Sequence, residues 1–214
     1  MQMTKYTHAC VRFDSDDRTL VIDPGAFSES AEALNGAAAV LITHEHFDHL
    51  DVDALLAAAR ANSALRVWAP PSVVHQLGEL GSRATAVAAD ESFDAAGFSV
   101  RTFGGQHAVI HPSIGTPCAN VGYLVDDAVY HPGDSFFVPS APVETLLVPM
   151  HAPWSKLAEV IDFVVAVRAP RAFQIHDAML AESGLKNAIG YVTRFADQYD
   201  VNFSYVAPTE TVAV

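Results

Sequence analysis

One stretch constrains this chain more than any other. The apolar run 38–43 (AAVLIT) leads straight into Thr43-His44-Glu45-His46-Phe47-Asp48-His49. A continuous apolar run of that length is what a strand buried on both faces requires. At its end stand three histidines and an aspartate within six residues. An isolated histidine is ordinarily a surface or hydrogen-bonded structural residue. Four metal-ligating side chains directly after a buried strand, with no solubility role, call for another explanation. His44 and His46, at i and i+2, point the same way in an extended segment and can share one cation with a third donor. Asp48 and His49 come after the chain turns and can face a second cation. Imidazole and carboxylate together suit zinc, manganese or iron better than calcium.

Further donors are needed, and the chain has them. Ten histidines stand against twelve Lys+Arg. His107 follows a strand and a Gly-Gly pair (FGGQH) and is the best third donor for the first cation. Asp134 lies in HPGDS, where Pro132-Gly133 bends the backbone, and a carboxylate can bridge two cations. His176 follows the strand expected over 171–175 and can complete the second cation. Taken singly, each is as well explained by an ordinary structural role.

Strand and helix signals alternate along the whole chain. Strands are expected at 8–13, 19–23, 38–43, 65–69, 84–89, 97–103, 120–125, 128–131, 145–149, 171–175 and 201–206. Asp51 is placed to cap a helix over 51–61, and Pro70-Pro71 opens a short one. Ser155 is placed to cap a helix running to about residue 169, with Leu157, Ile161, Val164 and Val165 on one face and Pro170 closing it. Leu185, Ala188, Ile189, Val192, Phe195 and Ala196 form a second helical stripe. A Gly-, Pro- and His-rich loop is expected over 104–119. This pattern implies two packed sheets flanked by helices, and 214 residues suit a single domain over 1–214.

The formal net charge of −13 argues against nucleic acid as a partner. No apolar stretch approaches the roughly 18 residues that span a bilayer, and the first residues lack the apolar core of a signal peptide. Cys10 and Cys118 cannot make a disulfide framework. The expectation is a soluble, cytoplasmic protein acting on a small molecule, free of nucleic acid and membrane; a homo-oligomer is compatible with the sequence.

His44, His46, Asp48 and His49 match the His-x-His-x-Asp-His signature, and the chain resembles the metallo-β-lactamase superfamily. VIDPG at 21–25, the signature, His107, Gly133-Asp134 and His176 stand in that family's order over almost the whole length. The resemblance implies an α/β (α+β) fold, a four-layer αββα sandwich with a dinuclear site at one edge. It implies that His44, His46 and His107 hold the first cation, that Asp48, His49 and His176 hold the second, and that Asp134 bridges. The compact length and THACVRF look most like the lactonase-like branch that includes ascorbate-phosphate lactonase. His at position 46, where non-hydrolytic diiron relatives tend to carry Glu, favours hydrolysis. Asp134, where some antibiotic-degrading members use Cys, argues against a true β-lactamase.

Two cations about 3.5–4 Å apart lower the pKa of a shared water from about 16 towards about 7. The expected function is a hydrolase attacking a lactone, ester or phosphodiester, with two divalent ions, zinc first and manganese or iron as alternatives. Asp48 is a candidate proton shuttle as well as a ligand. Asp23 either accepts a ligand histidine's N–H or is a turn residue. His111 and His151 are candidate catalytic groups touching substrate or stabilising an oxyanion. His8, His131 and His75 read as structural, and Trp154 and Phe136 as core or as a pocket wall. Two rival functions share the scaffold: a non-catalytic metal-binding or sensing module, and a redox diiron protein.

Overall fold

The computed structural model describes residues 1–114 and 117–214; Gly115 and Thr116, within the loop expected over 104–119, lie outside the described residues. The first sheet is built from Gln2–Lys5 (β1), Val11–Ser15 (β2), Arg18–Ile22 (β3), Ala39–Leu41 (β4), Arg66–Ala69 (β5) and Ala84–Ala86 (β6). The second comprises Ser92–Ala95 (β7), Phe98–Gly104 (β8), Val121–Val125 (β9), Val129–His131 (β10), Thr145–Pro149 (β11), Arg171–Ile175 (β12) and Asn202–Ser204 (β13). Thr211–Ala213 (β14) then returns to the first sheet beside β1.

The two sheets share one plan. Their orders are β14-β1-β2-β3-β4-β5-β6 and β13-β12-β11-β10-β9-β8-β7. In the first, pairing is antiparallel up to β3 and parallel beyond it. In the second, the same change falls at β10.

Alternation along the strands sorts side chains into layers. Leu20 and Ile22 of β3 enter the core between the sheets, with Leu41, Val100, Tyr123, Leu147 and Phe173. Val21, Val40 and Val67 face outward and are covered by Val52–Ala61 (α2) and Pro71–Gln76 (α3); a single turn, Ser30–Ala33 (α1), lies beside α2. On the opposite side Leu124, Leu146, Val148 and Ala172 are covered by Leu157–Val167 (α4) and Glu182–Ala196 (α5). Each fully buried aliphatic side chain contributes about 1.5–3 kcal/mol. The result is the four-layer αββα sandwich.

Local chemistry explains most boundaries. Asp51 caps α2 by accepting the Ala54 N–H at 3.0 Å, as expected. Ser155 does not cap α4. It bonds back to Ala152, and Lys156 is the N-cap, with Glu159 accepting its backbone N–H at 2.9 Å. The buried face of α4 is Val160, Phe163 and Val164 rather than one centred on Ile161 and Val165, and the helix stops at a left-handed Arg168 before Pro170 is reached. The strand expected over 8–13 begins only at Val11, because His8 is left-handed (φ 67°). No helix among the described residues is long and apolar enough to cross a membrane.

Candidate metal centre

The centre is assembled where strands of both sheets end. Asp23 follows β3, His44 follows β4, Asp134 follows β10 and His176 follows β12. Asp23 is fully buried, and its turn is left-handed (φ 51°). Its Oδ1 accepts the Thr43 N–H at 2.7 Å; its Oδ2 accepts the Thr43 hydroxyl at 2.6 Å and His49 Nδ1–H at 2.7 Å. Of the two readings open for Asp23, the histidine-orienting one fits this geometry. Thr43, having given its proton to Asp23, accepts from His44 Nδ1 at 2.9 Å. His107 Nδ1 donates to the Ala108 carbonyl and His176 Nδ1 to the His151 carbonyl, each at 2.6 Å. With Nδ1 engaged outward, each ring turns its Nε2 inward.

Those inward atoms meet. His49 Nε2, His107 Nε2, His176 Nε2 and Asp134 Oδ1 are buried with no hydrogen-bond partner. Asp134 Oδ1 lies 3.1 Å from His49 Nε2 and 3.2 Å from His176 Nε2, while Oδ2 lies 3.2 Å from His107 Nε2. Buried unpartnered polar atoms are costly, and converging donors of this kind fit a cation. His46 is turned the other way. Its Nδ1 sits 3.1 Å from His44 Nε2, and its Nε2 faces Cys118 Sγ at 4.0 Å.

The donors form two groups, each with all its atoms within 4.8 Å of one another: His44, His46, His107 and Asp134; and His8, Asp48, His49 and His176. Their electrostatics differ. Burial, helped by neighbouring imidazoles, pushes His44 and His46 below the usual histidine range. Burial works against charge on His49 and His176 too, but Asp134 and Asp23 hold His49 well above that range, and Asp134 and Asp48 raise His176 to about 9. Burial likewise opposes ionisation of Asp48 and Asp134. His176 and His8 nevertheless hold the Asp48 carboxyl below the usual range, and His49 and His107 do the same for Asp134.

The sequence leaves His8 a surface or hydrogen-bonded structural histidine; the structure excludes the surface reading and sets it beside Asp48, His49 and His176. It is fully buried, and its Nδ1 accepts the Ala178 N–H at 3.4 Å. Its Nε2–H therefore donates to Asp48 Oδ2 at 3.2 Å, and its ring lies 3.9 Å from that of His176. Trp154 was missed as a partner of the site; its indole N–H donates to Asp134 Oδ2 at 2.9 Å. A half-buried indole needs an acceptor, but sequence does not say which. Asn120 holds the turn before Asp134, accepting the Asp134 N–H at 2.9 Å and donating to the Pro132 carbonyl at 2.9 Å. Gly133 has φ 62°, and a Cβ there would run into Asn120 and Thr43.

The other histidines separate. His131 is a buried structural group, donating to the Ala9 carbonyl at 2.9 Å and accepting the Gly133 N–H at 3.1 Å. His111 is exposed on the rim of the cleft over His46 and His107, its Nδ1 2.6 Å from Ser113 Oγ. His151 lines a different depression with Leu180 and Tyr191, and its carbonyl touches the centre through His176.

Comparison with known proteins gives the family and the fold. The family described as "Beta-lactamase superfamily domain" matches residues 2–176. Protein Rv0786c of Mycobacterium tuberculosis is 40% identical over 186 residues, 85% of this chain and 86% of the relative. A UPF0173 metal-dependent hydrolase of Aeropyrum pernix is 26% identical over 151 residues, 63% of this chain and 61% of the relative. Among solved structures, Igni18, a metallo hydrolase from Ignicoccus hospitalis, superposes with a TM-score of 0.75 at 18% identity, covering 99% of this chain and 97% of that one.

Proposed function

The chain belongs to the β-lactamase superfamily, and on that premise we propose that the two donor groups hold a pair of divalent cations serving hydrolysis of a small-molecule lactone, ester or phosphodiester. At the coarser level it is a metal-dependent hydrolase of the metallo-β-lactamase family. One observation carries the metal-centre reading: His49 Nε2, His107 Nε2, His176 Nε2 and Asp134 Oδ1 are buried and unpartnered, each histidine nitrogen within 3.2 Å of an Asp134 carboxylate oxygen. His44, His46 and His107 would hold the first ion and Asp48, His49 and His176 the second, with Asp134 between them. Zinc suits the imidazole-rich first group best, with manganese or iron as alternatives. Free Cys10 and Cys118 accord with a reducing, cytoplasmic setting.

Bound there, the cations supply Lewis acidity and hydroxide at neutral pH. The protein's own groups do the rest. Asp23 and Thr43 fix the His49 and His44 tautomers, so neither ring swings out of register. Asp48 is the carboxylate that solvent reaches, its side chain 15% exposed against 5% for Asp134. To it we assign the passing of a proton to or from water. His8 holds Asp48 Oδ2 from behind and acts as a positioning residue. Trp154 does the same for Asp134.

The test is elemental analysis of the purified protein, followed by an ester, lactone and phosphodiester panel with the measured metal restored. Two equivalents of metal and turnover on the panel support the reading. Fully loaded protein inert to every substrate would instead mark a non-catalytic metal-binding or sensing module.

A further inference from the structure

A cleft of about 240 Å³ opens over the first donor group, lined by Glu45, His46, His107, Val109, Ile110 and Cys118 among others. That is smaller than the roughly 300–1,000 Å³ of pockets for drug-sized ligands. Its outer wall is aliphatic and stands in water: Val109 is 48%, Ile110 43% and Ile114 69% exposed. Beside the second group, Phe27 and Phe47 pack edge-on with centroids 5.2 Å apart and are also exposed. Apolar surface clustered around a functional cleft marks a place where a ligand is covered.

The charges point the same way. Glu45 is the charged side chain that lines the cleft. Between Arg101 and Lys156, a span that includes the whole cleft-forming loop, the sequence contains no lysine or arginine. Sites that grip phosphoryl groups surround their non-bridging oxygens with such cations. Beyond the cations themselves, a phosphodiester's permanent negative charge would stand beside Glu45 and meet, among the described lining residues, no lysine or arginine.

Resting on the hydrolase reading above, we propose that the substrate is an uncharged carboxylic ester or lactone whose alkyl substituent lies along Val109, Ile110 and Ile114. In the reaction the oxygen of water bonds to the acyl carbon. The acyl carbon–oxygen bond breaks, and its electrons go to the alkoxy oxygen, which takes one proton from the water. The other proton leaves the new carboxylic acid for solvent, so no oxidant or reductant takes part. With a lactone, both products stay in one molecule.

The experiment uses the full chain with its metal restored and verified. The probes are 4-nitrophenyl acetate, butyrate and octanoate, γ-lactones with lengthening alkyl chains, and bis(4-nitrophenyl) phosphate. The expected result is at least a tenfold higher kcat/KM for the octanoate ester than for the phosphodiester, with KM falling about twofold per methylene, about half of what full burial gives. Ile114→Lys should narrow the octanoate-to-acetate ratio at least threefold. Binding is read independently: the Ile110 and Ile114 methyl resonances should shift on addition of the longest γ-lactone. Preference for the phosphodiester, or indifference of both KM and the methyl resonances to chain length, overturns this proposal and leaves the hydrolase reading standing. Absence of turnover on every probe overturns both.

Discussion

The two donor groups sit side by side, yet they are built on opposite electrostatic plans. Around the first, burial keeps His44 and His46 neutral, and the cleft gives access to His46 and His107. Around the second, Asp23, Asp48 and Asp134 crowd His49 and His176 and keep protons on them. A cation entering the first group meets neutral imidazoles at His44 and His46. A cation entering the second must first displace protons that the carboxylates hold in place. The lesson is that two adjacent sites in one fold can differ in what opposes their filling, even where their ligand types overlap.

The largest way to break this contrast is to remove the group both sides share. Asp134→Ala should leave at most one tightly held cation and reduce turnover to background, measured by elemental analysis and by the substrate panel. Two retained cations with full turnover would end the bridging role. Changing pH sharpens the contrast. Because the His176 proton is held up to about pH 9 and His49 is held well above the usual range too, affinity at the second group should climb at least about tenfold per pH unit from 7 towards 9, and up to about a hundredfold where both protons compete. Affinity at the first group should stay nearly flat over that range, since His44 and His46 have already lost theirs. Competitive titration with a chromophoric chelator at several pH values resolves the two.

Smaller changes probe the supports. Asp23→Asn removes the acceptor that holds His49 and, through Thr43, His44. It should cost about 10- to 100-fold in cation affinity, more at the second group than at the first. His8→Phe takes away the Nε2–H donated to Asp48 and, with it, the Nδ1 that accepts the Ala178 N–H. It should weaken the second cation about tenfold and leave the first as it was, and equal weakening at both would show that His8 merely supports packing.

Much of this centre was legible in sequence because its parts are local or positional. His44, His46, Asp48 and His49 lie on one segment after a run apolar enough to be a buried strand. His107, Asp134 and His176 each follow a strand signal, where a rigid sheet presents side chains. His8 was not legible. Its place depends on the left-handed turn before β2 and on the distant Ala178 N–H, and neither leaves a mark in the neighbouring residues. The same physics hid parts of the fold. β7 (SFDA) and β14 (TVA) are sheet edges, paired on one side only, with too little apolar pattern to separate them from loop. β1 (QMTK) escaped for a related reason, since its buried inward residues are Met3 and Lys5, the latter held by Asp177 at 3.3 Å. By contrast β12, buried on both faces, was found at its true limits.

The donors come from both halves of the sandwich: Asp48 and His49 from the loop after β4, His107, Asp134 and His176 from the ends of the other sheet. A cation bound among them would act as a rivet through the seam of the two sheets, so that loading and folding become one equilibrium. At a thousandfold excess over its dissociation constant, each such ion adds about 4 kcal/mol to the folded state. For a chain of this size that corresponds to a rise in Tm of about 10 °C, which calorimetry before and after chelation would register.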